Sequence, residues 1–431
     1  MSRLFGLLVL LLLMALLLFF PLGGLEGSGA MPLSMSLGFL LLTGFVLGKL
    51  CISARLPGIT GYLLAGVAFG PSCLGVLKPP AVESLGLINS FALTLIALTA
   101  GGEVNLSRVR RRLGSYSWIT AGQSLVSFFG VLAVMVTALG LIPGAFPPGL
   151  KGRLVVGALL AAVALANSPS STVAVIVESR ARGRLSELVL GITIIKDILV
   201  ILAFTVLLAV GSSTLGAAAD RGNFLVTVVA WELGGSIIIG VLLGFFIILY
   251  MKHVGAELPV FIIAVSFLSY QLSSLLHLHA LLVCMAAGLV VNNLSGQGRD
   301  FIRAIERGSL PIYVVFFAIA GAGLDFSVLA GTWRLVLVLF TARLLFIWLG
   351  TLGGCVAAGE DSRGRRLIWM GFVTQAGVAL GLAVMVAETF PGWGEVFRNL
   401  VVGTIAIFQL VGPVMFKYAL IRAGEVPTEK S

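Results

Sequence analysis

Charge is what this sequence has least of. Only 11% of its 431 residues are Asp, Glu, Lys or Arg, where a soluble chain averages about 25%. Histidine occurs three times and cysteine four times. Cys51, Cys73, Cys284 and Cys355 sit in or beside apolar runs without metal-ligand spacing, so they read as small packing residues, and no disulfide, zinc site or other metal site is predicted. His277 and His279 fall in a predicted tight connection and read as interfacial rather than metal-ligating. There is no His-Glu-x-x-His pattern and no second aspartate near the middle of an apolar run to form a protease dyad, which argues against an intramembrane enzyme. No cofactor is expected.

The chain is instead 59% hydrophobic, with a mean hydropathy of +1.11. Near-continuous apolar runs of about 20 residues predict an all-α polytopic membrane protein, where a barrel would alternate over about 10. The runs fall at 4–22, 33–51, 57–77, 85–103, 115–141, 153–178, 186–210, 224–250, 258–275, 278–294, 309–325, 333–358, 366–388 and 396–420. A net charge of +10 could suggest nucleic acid, but the basic residues form short clusters between runs, the pattern of membrane topology, so no nucleic-acid partner is expected. With the N-terminus in the cytoplasm, strict alternation puts 20 of the 28 basic residues on the cytoplasmic side and 6 opposite. The remaining two, Lys196 and Arg343, lie inside runs. Both termini are then cytoplasmic and the protein sits in the cell inner (plasma) membrane. Residues 1–32 read either as a retained hydrophobic helix or as a signal peptide with a Ser28-Gly29-Ala30 cleavage site, and the length of the run favours a helix.

The run GITIIKDILVILAFTVLLAV (Gly191 to Val210) carries Lys196 and Asp197 near its middle. A central membrane charge costs at least about 2.5–3.5 kcal/mol on insertion scales and usually faces a bundle interior or a wet cavity. Asp197 is therefore the first candidate for an ion or proton site; the alternative is a structural ion pair. Lys196 can be a second proton carrier, a salt-bridge partner to another acid, or a replacement charge when no cation is bound. Arg343 needs a carboxylate or cavity water, which makes it the natural partner of Asp197. Glu103, Glu178, Glu232 and Glu388, near run ends or within runs, read as structural or vestibule residues.

Runs 2 to 7 and 9 to 14 form two sets of six separated by a single helix (33–210, 224–250 and 258–420), followed by a short tail, 421–431. Their starting runs are seven apart, so the sets enter the membrane from opposite sides, the layout of an inverted repeat. An interruption in run 6 then requires one in run 13. Run 6 carries Asn167-Ser168-Pro169-Ser170-Ser171-Thr172 at mid-depth, where Pro169 removes a helical hydrogen bond and Asn167, Ser168 and Thr172 can coordinate an ion or cap freed backbone groups. Run 13 carries Thr374-Gln375-Ala376-Gly377 at matching depth, without a proline. Each alone can be a kinked helix packed through small residues; together they predict two broken helices crossing near the midplane, with Gln375 as a further ion ligand.

These motifs resemble the monovalent cation:proton antiporters with a sodium/hydrogen exchanger membrane domain, nearest to the Kef-type and bacterial sodium/proton antiporter branch. The resemblance covers about residues 33–420. It rests on LPGITGYLLAGVAFGPSCLGVL (Leu56 to Leu77), LTAGGEVNLSRVRR (Leu98 to Arg111), ANSPSSTVAVIVESRARGRLSELVLGITIIKD (Ala166 to Asp197), GSLPIYVVFFAIAGAGLDFSVL (Gly308 to Leu329) and the QAGVALGLA of run 13. It implies 13 core helices with an inverted repeat, a dimerisation domain, a mobile core domain and a homodimer. An aspartate beside the crossing, Asp197 here, would bind a proton and a sodium or potassium ion in turn, with Arg343 as the basic residue of the third-last helix. The residue before the aspartate departs from the family's usual aspartate, asparagine or glutamine: it is Lys196. A single titrating carboxylate predicts one-for-one exchange. Only about ten residues follow the last run, so no nucleotide-binding regulatory domain is expected within this chain. An organic-anion carrier of the same architecture, or a non-transporting membrane sensor, are the rival readings.

Overall fold

The computed structural model describes residues 33–54, 56–141, 146–215, 221–323, 329–375 and 377–427. The expected helix or signal peptide at 1–32 lies outside them, as do Ala376 of the second break and the last four residues of the tail. The described residues contain helices and turns and no strand. The helices are α1 (Leu33–Ser53), α2 (Gly58–Phe69), α3 (Pro79–Ser84), α4 (Gly86–Glu103), α5 (Leu106–Arg111), α6 (Leu113–Leu141), α7 (Gly149–Leu165), α8 (Pro169–Ser179), α9 (Arg184–Thr214), α10 (Arg221–His253), α11 (Leu258–Leu275), α12 (Ala280–Leu294), α13 (Gly298–Ala322), α14 (Leu329–Ala357), α15 (Ser362–Leu367), α16 (Gly377–Thr389) and α17 (Gly394–Ala423), with a 3-10 turn, Ile368–Phe372, after α15.

Among the described residues eight helical units are long and apolar enough to cross a membrane, nine if the bent α13 is one span. The bend lies just before Pro311; in a straight helix a proline ring would clash with the carbonyl of the preceding turn. Four further apolar helices are shorter. The chain is thus a multi-pass, all-helical membrane protein. One of the short helices corrects the expected run 57–77. Helix α2 ends at Phe69, where Gly70 and Pro71 stop it, and the chain folds back through Leu74 N–H to Ala68 O (3.0 Å) and Leu77 N–H to Phe69 O (2.9 Å).

Helix α6 packs along α14, α4 along α12, and α2 along α13. One apolar core is built entirely from α6, α7, α9, α14, α16, α17 and the turns beside them. Two of these packings are glycine crossings. A Cβ on Gly66 of α2 would fall far inside contact with the backbone oxygen of Ala318, and one on Gly321 of α13 inside that of Leu63. Gly101 of α4 and Gly288 of α12 stand in the same relation to Met285 and Leu98.

At one end of the bundle Glu178, on the last turn of α8, binds another element. Its carboxylate accepts the N–H groups of Gly58 (2.8 Å) and Ile59 (3.3 Å) at the start of α2 and pairs with Lys417 of α17 at 3.3 Å. The Lys417 ammonium also donates to Leu56 O at 2.9 Å. A carboxylate at a helix N-terminus meets unpaired donors and the positive end of the dipole, so this residue has the structural role its position allowed. Glu178→Ala is expected to cost about 2 kcal/mol, the worth of one charge-assisted hydrogen-bonded group, read as a lowered unfolding temperature; Glu178→Gln, which keeps one acceptor, should cost less.

Candidate ion-binding site

The first break is a stop followed by a fresh start. Helix α7 ends at Leu165, Ala166 to Ser168 are extended, and Pro169 opens α8 at its first position. Proline fits there because its missing N–H would have no partner anyway. Ser168 is the N-cap: its Oγ accepts the Ser171 N–H at 3.2 Å and donates to Ser171 Oγ at 2.9 Å. Thr172 Oγ1 donates back to Ser168 O at 2.9 Å. The second break is softer, as the sequence suggests. Helix α15 tightens into the 3-10 turn, Val373 to Gln375 are non-helical, and α16 begins at Gly377.

The two breaks touch. Ser168 N–H donates to Thr374 O at 3.1 Å, and Gln375 Nε2 donates to Val163 O at 2.8 Å. Gly412 of α17 packs on Thr374, where a Cβ would meet its Cα and backbone nitrogen at 2.8 Å. Asn167, Ser168, Thr374 and Gln375 are all nearly inaccessible, and Thr374 Oγ1 and Gln375 Oε1 have no hydrogen-bond partner. A cavity of about 20 Å3 lies against the first break, between Asn167, Ser168, Pro169 and Ser170 on one side and Leu93, Ile96, Leu281 and Met285 of α4 and α12 on the other. That is room for about one water-sized species.

Arg343 is not the partner of Asp197; the structure corrects that expectation. Its side chain, wholly buried on α14, reaches into the crossing and donates to Ala164 O (2.7 Å), Ala166 O (2.9 Å) and Val373 O (2.7 Å), with longer contacts to Asn167 Oδ1 and Phe372 O (both 3.4 Å). Its guanidinium also lies 4.3 Å from the Phe408 ring centroid. The physical reason is the breaks themselves. Each leaves carbonyls at a half-helix C-terminus without helical donors. Each end carries roughly half a negative charge, so the two together offset about one guanidinium. Arg343 binds the half-helix ends to one another, and no carboxylate is needed.

Asp197 lies on α9, the helix that packs against α7, α8, the 3-10 turn and α16. It is 8% exposed, its Oδ1 has no hydrogen-bond partner, and no ion pair joins it to Arg343 or to Lys196. Lys196 is wholly buried and donates to Gln123 Oε1 of α6 at 2.8 Å, with its ammonium 5.9 Å from the Phe372 ring centroid. Its partner is thus a neutral amide, not the second acid that one reading allowed. Gln123 escapes a reading of the sequence because a neutral amide in a span carries no charge to flag it; its setting in AGQSLVS is the only signal. Chemically the arrangement offers one buried carboxylate with an open oxygen, on a helix that packs against the elements of a crossing rich in hydroxyl and carbonyl oxygens. These are hard ligands suited to a proton or an alkali cation.

A sequence model of the sodium/hydrogen exchanger transmembrane family matches residues 37–422. The chain belongs to this family. Among its exchanger relatives, the Na+/H+ antiporter NhaS5 of Synechocystis is 25% identical over 393 residues, covering 87% of this chain and 53% of that protein. The Na+/H+-K+ antiporter GerN of Bacillus cereus is 22% identical over 390 residues, covering 89% of this chain and 95% of that protein. The chain thus spans about half the length of the first relative and nearly all of the second. The sodium proton antiporter MjNhaP1 of Methanocaldococcus jannaschii has the same exchanger fold: a TM-score of 0.72 at 18% identity, over 93% of this chain and all of that one.

Proposed function

We propose that this exchanger moves a monovalent cation, sodium or potassium, against protons by alternating access, with Asp197 binding either ion. The observation that carries the reading is the Asp197 carboxylate, buried with an unpartnered oxygen on the helix that packs against both broken helices. Competition of two cations for one carboxylate couples their fluxes without further machinery, and one such group gives one-for-one exchange. Ser168, Thr172, Asn167 and Gln375 would supply further oxygens, and their hydrogen bonds within the breaks hold them in place. The names of NhaS5 and GerN, one a sodium/proton and one a sodium/proton-potassium antiporter, agree with this substrate class.

The architecture we infer is 13 spans in residues 33–420, two inverted repeats (33–210 and 258–420) about a linking helix (224–250), with the breaks crossing at the midplane. The glycine crossings support it. Gly66 and Gly288 are 222 residues apart and Gly101 and Gly321 are 220 apart, and exchanging the repeats turns one crossing into the other. Two copies of the chain would form a homodimer in the plasma membrane, each with a cytoplasmic tail at 421–431. Arg343 and Lys196, engaged by carbonyls and by an amide, lend no support to an organic-anion carrier.

The test is proton flux in proteoliposomes under a preset pH gradient, on addition of sodium, lithium, potassium or choline. Cation-evoked flux is expected in the wild type and should fall at least a hundredfold in Asp197→Asn. Flux absent with every cation in folded protein, or retained in the variant, would sink the reading.

A further inference from the structure

Lys196 poses a problem for a cation site at Asp197. An ammonium on a flexible four-carbon stem stands on the neighbouring residue, and in a low-dielectric interior it is drawn to the carboxylate far more strongly than in water. An ion pair between them would fill the site, because a tethered ammonium and a free alkali cation compete for the same oxygens. The structure holds them apart. Adjacent helical side chains diverge by about 100°, and the Lys196 ammonium is taken up elsewhere, by Gln123 Oε1 at 2.8 Å and the face of Phe372. Asp197 Oδ1 is left without a partner.

We propose that Gln123 is a positioning residue of the exchanger: its amide oxygen holds the Lys196 ammonium off Asp197 and so keeps the carboxylate open to a cation. This rests on the function proposed above. Three observations fit Gln123 for the task. It is wholly buried, so water does not compete for its amide. An ammonium only donates, so the amide must present its oxygen to Lys196; its Nε2 has no partner, which leaves this hydrogen bond as the contact that orients the group. Its backbone is seated by α14, where Gly350 approaches so closely that a Cβ would stand 2.8 Å from the Gln123 Cα. A glutamine that merely filled space would need none of this.

The experiment measures proton flux against sodium or potassium concentration in proteoliposomes, for wild type, Gln123→Leu, Lys196→Met, the double variant and Gln123→Glu. In Gln123→Leu the lysine is free to pair with Asp197, so the cation KM should rise about tenfold with kcat nearly unchanged. In the Lys196→Met background the same substitution should leave KM where that background sets it. Gln123→Glu, which binds the ammonium more tightly, should show a KM no higher than wild type, and it carries the test if the leucine variant fails to fold. An unchanged KM in Gln123→Leu, an equal rise in both backgrounds, or a raised KM in Gln123→Glu would overturn the assignment while leaving the exchange function standing. A wild type without cation-evoked flux would overturn both, and the two failures are told apart by the wild-type control.

Discussion

Replacing Arg343 with leucine is expected to destabilise the fold by about 3–5 kcal/mol, the cost typical of removing one partner from a buried charged cluster. Three carbonyls, those of Ala164, Ala166 and Val373, take strong hydrogen bonds from this side chain. None has a helical donor to fall back on, because each lies where a half-helix ends. An unsatisfied buried acceptor costs about 1–3 kcal/mol, so the loss of three bonds reaches the same range independently. The two negative helix ends would also face one another without a positive charge between them. Arg343→Lys should fall between: the ammonium keeps the charge, but three donors on one atom cannot span carbonyls from two separate helices as the planar fork does. The measurement is the thermal unfolding midpoint of the purified protein in detergent, read by intrinsic fluorescence. A leucine variant within about 1 kcal/mol of wild type would mean that water satisfies those carbonyls, and the account of the crossing given above would fail.

Arg343 also marks where the sequence stops being informative. Charges in apolar runs are conspicuous, so Lys196, Asp197 and Arg343 are all found by reading. Pairing them is another matter. Every residue contributes a carbonyl, and nothing in a sequence distinguishes the few left without donors at a broken helix end; the visible carboxylate of Asp197 therefore attracts an assignment that belongs to Ala164, Ala166 and Val373. The first break is legible because Pro169 and the serines around it have strong local preferences, for the first helical position and the N-cap respectively. The second has no such residue. Thr374 and Gln375 are found only because an inverted layout requires a break at that depth. Gln123 is invisible for the opposite reason: its importance lies wholly in a contact with a residue 73 positions away.

The glycine crossings carry the other large expectation. Gly66→Val should abolish a stable fold, and Gly321→Val should do the same, because each Cβ would collide with a backbone carbonyl of the facing helix. A side chain in the way can rotate, but a helical carbonyl moves only with its helix. Overpacking typically costs about 1–3 kcal/mol where the surroundings can adjust, and occasionally more; here α2 and α13 would have to separate along their whole contact. Small residues at such crossings matter especially in a membrane, where close van der Waals packing replaces the hydrophobic drive between helices. Gly38 is the control. Nothing lies within 4 Å of a Cβ built there, so Gly38→Ala should be neutral or gain up to about 1 kcal/mol from helix propensity alone. If the two repeats are equivalent, Gly101→Val and Gly288→Val should match Gly66→Val and Gly321→Val in severity. Monodisperse yield on size exclusion and the unfolding midpoint read all five variants. A tolerant crossing paired with an intolerant one would contradict the equivalence of the repeats, since a packing reproduced by symmetry must fail by symmetry as well.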